Sequence, residues 1–282
     1  MGTALVHQLI AIDLDGTLLD SSHRVSVRNR EALHRAHAAG LRVVLCTGRN
    51  LTETRPILDD VGLDWDAVVT VGGALVYDLR AREAIRRSVI ADDTARRFAT
   101  WLGALGYPVL WLSDALECGH DGYLIDGPRW HVAYDRWIER SPCRVARVAA
   151  LPADAAAALR ISIIDDHPQL TGVDRELRTL FHGALTHNLL RAPAYDLTVV
   201  EAFAPHVSKW YGIERLCEYW SLDPRRTVAI GDDVNDLAML RGAGLGVAMG
   251  NARPDVQAAA QRVVATNDDD GVAQLIDELL HK

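Results

Sequence analysis

The 282-residue chain has little of what would place it outside the cell, in a membrane or on nucleic acid. Cysteine is scarce. The four present, Cys46, Cys118, Cys143 and Cys217, are too widely spaced for a metal knuckle or a redox pair, and four in 282 residues do not make a disulfide scaffold. Reduced thiols in a cytoplasmic protein are expected. No apolar run reaches the roughly 18 residues of a membrane span. Met1 to Ala11 has no basic stretch followed by a long apolar one, so no secretory signal is expected. Nor is there a contiguous basic tract. Lys and Arg number 30 against 38 Asp and Glu, a formal charge of −8, which argues against nucleic acid as a partner. Internal repeats are absent, and the only low-complexity stretch is a short alanine run at 155–158.

What the chain does have is a composition 49% hydrophobic, enough for a sizeable core. Its length fits one large domain or two modest ones. The first part alternates short apolar runs with helical ones. His7 to Asp13, Leu41 to Thr47 and Ala67 to Val71 read as strands. Between them lie helices over Val27 to Ala39, capped by Ser26, and over Leu51 to Val61. The rhythm returns at the far end. Strands are predicted at Thr227 to Ile230, Leu245 to Met249 and Arg262 to Ala265, and helices at Ser208 to Trp220, Asn235 to Arg241, Pro254 to Gln261 and Gly271 to Leu280. Near-continuous apolar strands separated by helices predict a parallel sheet covered on both faces.

From about Glu83 to Ala204 the pattern changes. Strands look two-sided, and helices are predicted at Asp93 to Leu105, Gly172 to Leu185 and, from the alanine run, Ala153 to Leu159. Most aromatic residues fall here, including all three Phe. This middle reads as an inserted α+β domain.

Chemistry concentrates where apolar strands end. Asp13 and Asp15, in Asp-Leu-Asp-Gly-Thr-Leu, point the same way if that segment is extended. Gly16 then lets the chain turn. A second acidic exit, Gly231-Asp232-Asp233-Val234-Asn235-Asp236, would repel itself without a cation. Oxygen-only donors suit Mg²⁺; read alone, the same residues also make a helix cap in a solvated loop. Thr47-Gly48-Arg49 offers a hydroxyl and backbone N–H groups to an anion. Lys209 opens a helix, against the helix dipole. Gly242-Ala-Gly244-Leu-Gly246 follows a helix and precedes a strand, the reverse of a dinucleotide-binding turn.

In their order, DLDGTL, TGR, SK and GDDVND resemble the four motifs of the haloacid dehalogenase superfamily. NDLAMLRGAGLGVAMGNA and ARPDVQAAAQRVVATNDDDGVA are similar to the tail of its Cof-type phosphatases with a class IIB cap. The resemblance implies an α/β fold: a Rossmann-like parallel-sheet core over 1–82 and 205–282, interrupted by an α+β cap over 83–204. It implies Asp13 as nucleophile and Asp15 as general acid and base. Thr47, Gly48, Lys209 and Asn235 would bind the phosphate. Mg²⁺ would be held by Asp13, the Asp15 carbonyl and Asp232, with Asn235 and Asp236 close by. The implied activity is Mg²⁺-dependent hydrolysis of small phosphorylated metabolites, sugar phosphates first, through an aspartyl phosphate. A sugar phosphomutase or a non-catalytic sugar-phosphate binder is the alternative. A signalling receiver domain fits less well, since its acceptor aspartate comes from a later strand. Two positions depart from the family pattern. Gly72 stands where relatives carry Asn, removing a side chain near the substrate entrance, and Trp210 stands where they favour Gly. In the middle segment, Trp130, His131, Tyr134 and Trp137 either stack on a sugar face or pack in the core.

Overall fold

The structure, a computed structural model, describes residues 6–192 and 197–281. The chain packs as two compact units, Met1–Arg86 with Ser208–Lys282, and Arg87–Val207.

The first unit is built on an eight-stranded sheet. Its strands, numbered along the chain, are β1 (Leu9–Ile12), β2 (Arg42–Cys46), β3 (Ala67–Thr70), β4 (Leu75–Asp78), β5 (Glu83–Arg87), β12 (Thr227–Gly231), β13 (Leu245–Ala248) and β14 (Arg262–Val263). They lie in the order β14-β13-β12-β1-β2-β3-β4-β5. From β14 to β3 all pairings are parallel, and β4 returns antiparallel to β3. Leu9 faces Arg42 on one side and Thr227 on the other. Every β1 side chain is buried, which is why the strand reads as continuously apolar rather than alternating.

Strands β1, β2 and β3 step outward in one direction; β12, β13 and β14 step outward in the other. The connections therefore reverse between β1 and β12, and the crevice beyond such a switch point is where open α/β sheets bind ligands. Local signals start the helices around it. In α1 (Val27–Ala38) the Ser26 hydroxyl accepts from Asn29 N–H at 3.0 Å. In α2 (Leu51–Val61) Asn50 and Glu53 form a capping box.

The second unit holds a six-stranded sheet ordered β10-β11-β9-β6-β7-β8. These are β6 (Val109–Leu112), β7 (Gly122–Ile125), β8 (Val145–Val148), β9 (Arg160–Asp165), β10 (Thr186–Ala192) and β11 (Leu197–Phe203). The helices α3 (Asp92–Ala104) and α6 (His167–Leu180) pack on it. The helix expected at Gly172 to Leu185 thus starts and stops about one turn earlier, and Phe181 to Gly183 turns instead. No helix forms at Ala153 to Leu159. Tertiary bonds take that backbone: the Ala156 carbonyl accepts from the Trp111 indole at 2.8 Å, and Leu159 N–H donates to Leu112 at 2.8 Å. Alanine's helix propensity is too weak to resist them. Tyr134, on α5 (Val132–Arg140), is core: its hydroxyl donates to the Pro108 carbonyl at 3.0 Å and accepts from Ile164 N–H at 3.1 Å. Trp130 lies 5.3 Å from that ring and carries the Arg147 guanidinium at 3.8 Å. Trp137 packs against the same cluster.

Candidate active site

At the carboxyl ends of β1 and β12 three carboxylates and one ammonium meet. Asp13 follows β1 directly, and its N–H donates to the Ile230 carbonyl at 3.0 Å, which ties it to β12. Lys209 opens α7 (Lys209–Tyr219) behind its Ser208 cap. The side chain bends into the interior, 2% exposed, and donates to Asp13 at 2.5 Å and to Asp236 at 2.6 Å. Two buried carboxylates thus offset the unfavourable dipole position. The other oxygen of Asp236 accepts from the N–H groups of Asp232 and Asp233 at 3.0 and 3.1 Å. Asp232 completes the group: ligand oxygens of Asp13, Asp232 and Asp236 lie within 4.8 Å of one another. Gly16 is required here, because any side chain at that position would run into the Asp232 carboxylate.

One ammonium does not balance three carboxylates. Burial, with Asp236 next, pushes the Asp13 carboxyl up to about 7 against the pull of Lys209. Burial, then the charges of Asp13 and Asp236, push Asp232 up to about 9. The Lys209 ammonium is burdened by burial but held charged by Asp13 and Asp236. Excess negative charge on an all-oxygen donor set fits a hard divalent cation.

The remaining expected residues stand around this centre. Asp13 and Asp15 do not share partners: Asp15 lies past the end of the strand, in the turn Leu14–Leu18, and its half-exposed carboxylate takes both ends of the Arg49 guanidinium, at 2.9 Å through Nε. Thr47 is buried at the end of β2, its hydroxyl accepting from Arg49 N–H at 3.0 Å. Gly48 lies between them, with open space where a side chain would be. Asn235 is half-buried in the turn Val234–Asp236, and Asp233 caps that turn. Reading motif by motif misses two contacts. Thr17 donates to Asp232 at 3.3 Å, and Asn251 donates to the Gly16 carbonyl at 2.8 Å. Both residues sit in quoted motifs, DGTL and MGNA, but only the tertiary pairing gives them a task.

The family signature of haloacid dehalogenase-like hydrolases matches residues 10–276. The chain belongs to that family. It is 31% identical to the phosphatase YwpJ of Bacillus subtilis, over 97% of this chain and all of the relative. It is 28% identical to the pyridoxal phosphate phosphatase YbhA of Escherichia coli, over 95% of this chain and 97% of the relative. The solved structure of the subclass IIB sugar phosphatase BT4131 superposes with a TM-score of 0.80 at 23% identity, covering 96% of this chain and 98% of that one. Fold class and enzyme class, a capped phosphatase of this family, are those the motifs implied. Among the described residues no helix is long and apolar enough to cross a membrane.

Proposed function

We propose that the protein is a Mg²⁺-dependent phosphatase that hydrolyses small phosphorylated metabolites, sugar phosphates first among them, through Asp13. The observation that carries this reading is the buried Lys209 bridging Asp13 and Asp236, with Asp232 in the same cluster. An Asp13 oxygen attacks phosphorus while the bond to the leaving oxygen breaks and Asp15 gives that oxygen a proton. Asp15 then takes a proton from water, whose oxygen attacks phosphorus and frees Asp13 and phosphate. Lys209, Thr47, the Gly48 N–H and Asn235 hold the phosphoryl oxygens. Asp13, the Asp15 carbonyl and Asp232 would hold the cation, with Asn235 and Asp236 alongside. When bound, it supplies the charge screening that lets a carboxylate approach a phosphate dianion.

The phosphoryl group is common to every candidate substrate, so we assign substrate choice to the inserted unit. The test is phosphate release across sugar phosphates, nucleotides and pyridoxal phosphate, the last because the E. coli relative is named for it. Steady release from one class with Mg²⁺ supports the reading. An isomerised sugar phosphate in place of free phosphate, or no turnover of any substrate, refutes it.

A further inference from the structure

We propose that Arg49 and Asn251 are positioning residues that clamp the Asp15 turn from two sides. The inference rests on the reading of Asp15 as the proton donor. The turn Leu14–Leu18 is not a regular helix: Asp15 and Gly16 both leave helical geometry within it, and a single backbone bond, from Leu19 N–H to the Leu14 carbonyl at 3.0 Å, closes it. The Asp15 carboxylate takes its side-chain contacts from outside the turn. Arg49 grips that carboxylate with its fork, the geometry that fixes a carboxylate in direction as well as distance. Asn251 grips the next peptide by donating to the Gly16 carbonyl, while its own carbonyl accepts from Asn267 N–H at 2.9 Å. Asn267 in turn donates to the Leu19 carbonyl at 2.9 Å, closing the clamp at the far end of the turn.

Arg49 is itself held at both ends of its peptide unit. Its N–H donates to the Thr47 hydroxyl, and its carbonyl accepts from Val71 N–H at 2.8 Å. Val71 makes that bond at a φ of +50°, a left-handed conformation costly for a β-branched residue. Backbone strain of this kind persists where the surrounding structure over-determines a position, and such positions cluster at functional sites. Here the strained residue anchors the peptide from which the Asp15 clamp projects.

The experiment compares wild type, Asp15→Asn, Arg49→Ala, Arg49→Lys, Asn251→Ala and the Arg49→Ala/Asp15→Asn double variant. Each is assayed with Mg²⁺ on 4-nitrophenyl phosphate, whose leaving group needs little protonation, and on an alkyl phosphate, whose leaving group needs it. A general acid contributes about 10²–10⁴-fold, so Arg49→Ala is expected to lower kcat on the alkyl ester at least ~10-fold more than on the aryl ester. Arg49→Lys keeps the charge but not the fork, and is expected to rescue only part. Asn251→Ala should show the same selective loss at smaller amplitude. The double variant should be no slower on the alkyl ester than Asp15→Asn alone, because residues acting as one unit are not additive. Equal losses on both esters, a rise in KM with kcat unchanged, or additive losses in the double variant would overturn the clamp while Asp15→Asn keeps its selective defect. If Asp15→Asn itself lacks that defect, the proton-donor reading falls and the clamp with it.

Discussion

Replacing Asp13 by Asn keeps its size and removes its negative charge, which separates chemistry from folding. Turnover is expected to fall to a few per cent of wild type or less, with an unchanged far-ultraviolet spectrum; substantial activity in a pure sample would move the nucleophile elsewhere. Lys209→Met asks the complementary question. It leaves Asp13 and Asp236 buried without their shared ammonium. Removing one partner of a buried ion pair costs about 3–5 kcal/mol, so the urea midpoint should drop sharply as well as the rate. A midpoint equal to wild type would mean that the bridge contributes nothing to the fold. At this scale the sequence was most legible. Asp13 and Asp232 stand directly at strand exits, and Lys209 directly after a helix cap. Asp15 sits in the turn just past β1, near enough to Asp13 for its charge to act on that carboxylate. Its partner Arg49 comes from a different strand exit.

Between β3 and β4 the chain makes a turn whose backbone, not its side chains, serves the site. Gly72 and Gly73 both adopt left-handed φ, +61° and +101°. At Gly72 that explains the departure from the family's Asn, since Asn is among the few other residues that accept this region. Gly72→Asn is therefore expected to leave stability within ~1 kcal/mol of wild type. Gly73→Ala is the contrasting case. Its Cβ would collide with the Ser208 carbonyl, immediately before Lys209. Thermal unfolding should register a loss of ~2 kcal/mol or more, as expected of backbone strain combined with overpacking, and kcat should fall with it. Equal behaviour of the two variants would contradict the close approach. The second departure resolves the same way: the Trp210 indole fills the space over Gly242, where any side chain would strike it. Strand and helix positions were largely legible from periodicity and caps. The alanine run was not, because its carbonyls answer to Trp111 and its neighbours rather than to a helix of their own.

For the whole molecule the acidic cluster links metal, pH and stability. Asp13 and Asp232 ionise at higher pH in the folded chain than unfolded, through about 7 and about 9. Groups shifted upward contribute stability that is full below the ordinary aspartate range and is lost as pH rises through the folded values. The metal-free protein should therefore melt at progressively lower temperature from about pH 5 to about pH 9. A divalent cation displaces those protons, so the rise in Tm on adding Mg²⁺ should grow with pH. Differential scanning calorimetry with and without chelator reads both trends, and chelation should abolish turnover until Mg²⁺ is restored. A Tm gain independent of pH would show that the cation does not bind these carboxylates. By itself the sequence determined the alternation of strands and helices, the inserted middle and the acids at two strand exits, because each depends on a few consecutive residues and their backbone geometry. Only the tertiary structure decided which of those groups meet. Asp13 and Lys209 are 196 positions apart, and what joins them is the sheet order that sets β12 beside β1 and brings α7 to their carboxyl ends. The same packing, not the local pattern, turned Asp15 toward Arg49 and put Tyr134 into the core. Side-chain partners across a fold are fixed by the sum of many weak contacts, and no short window of sequence contains that sum.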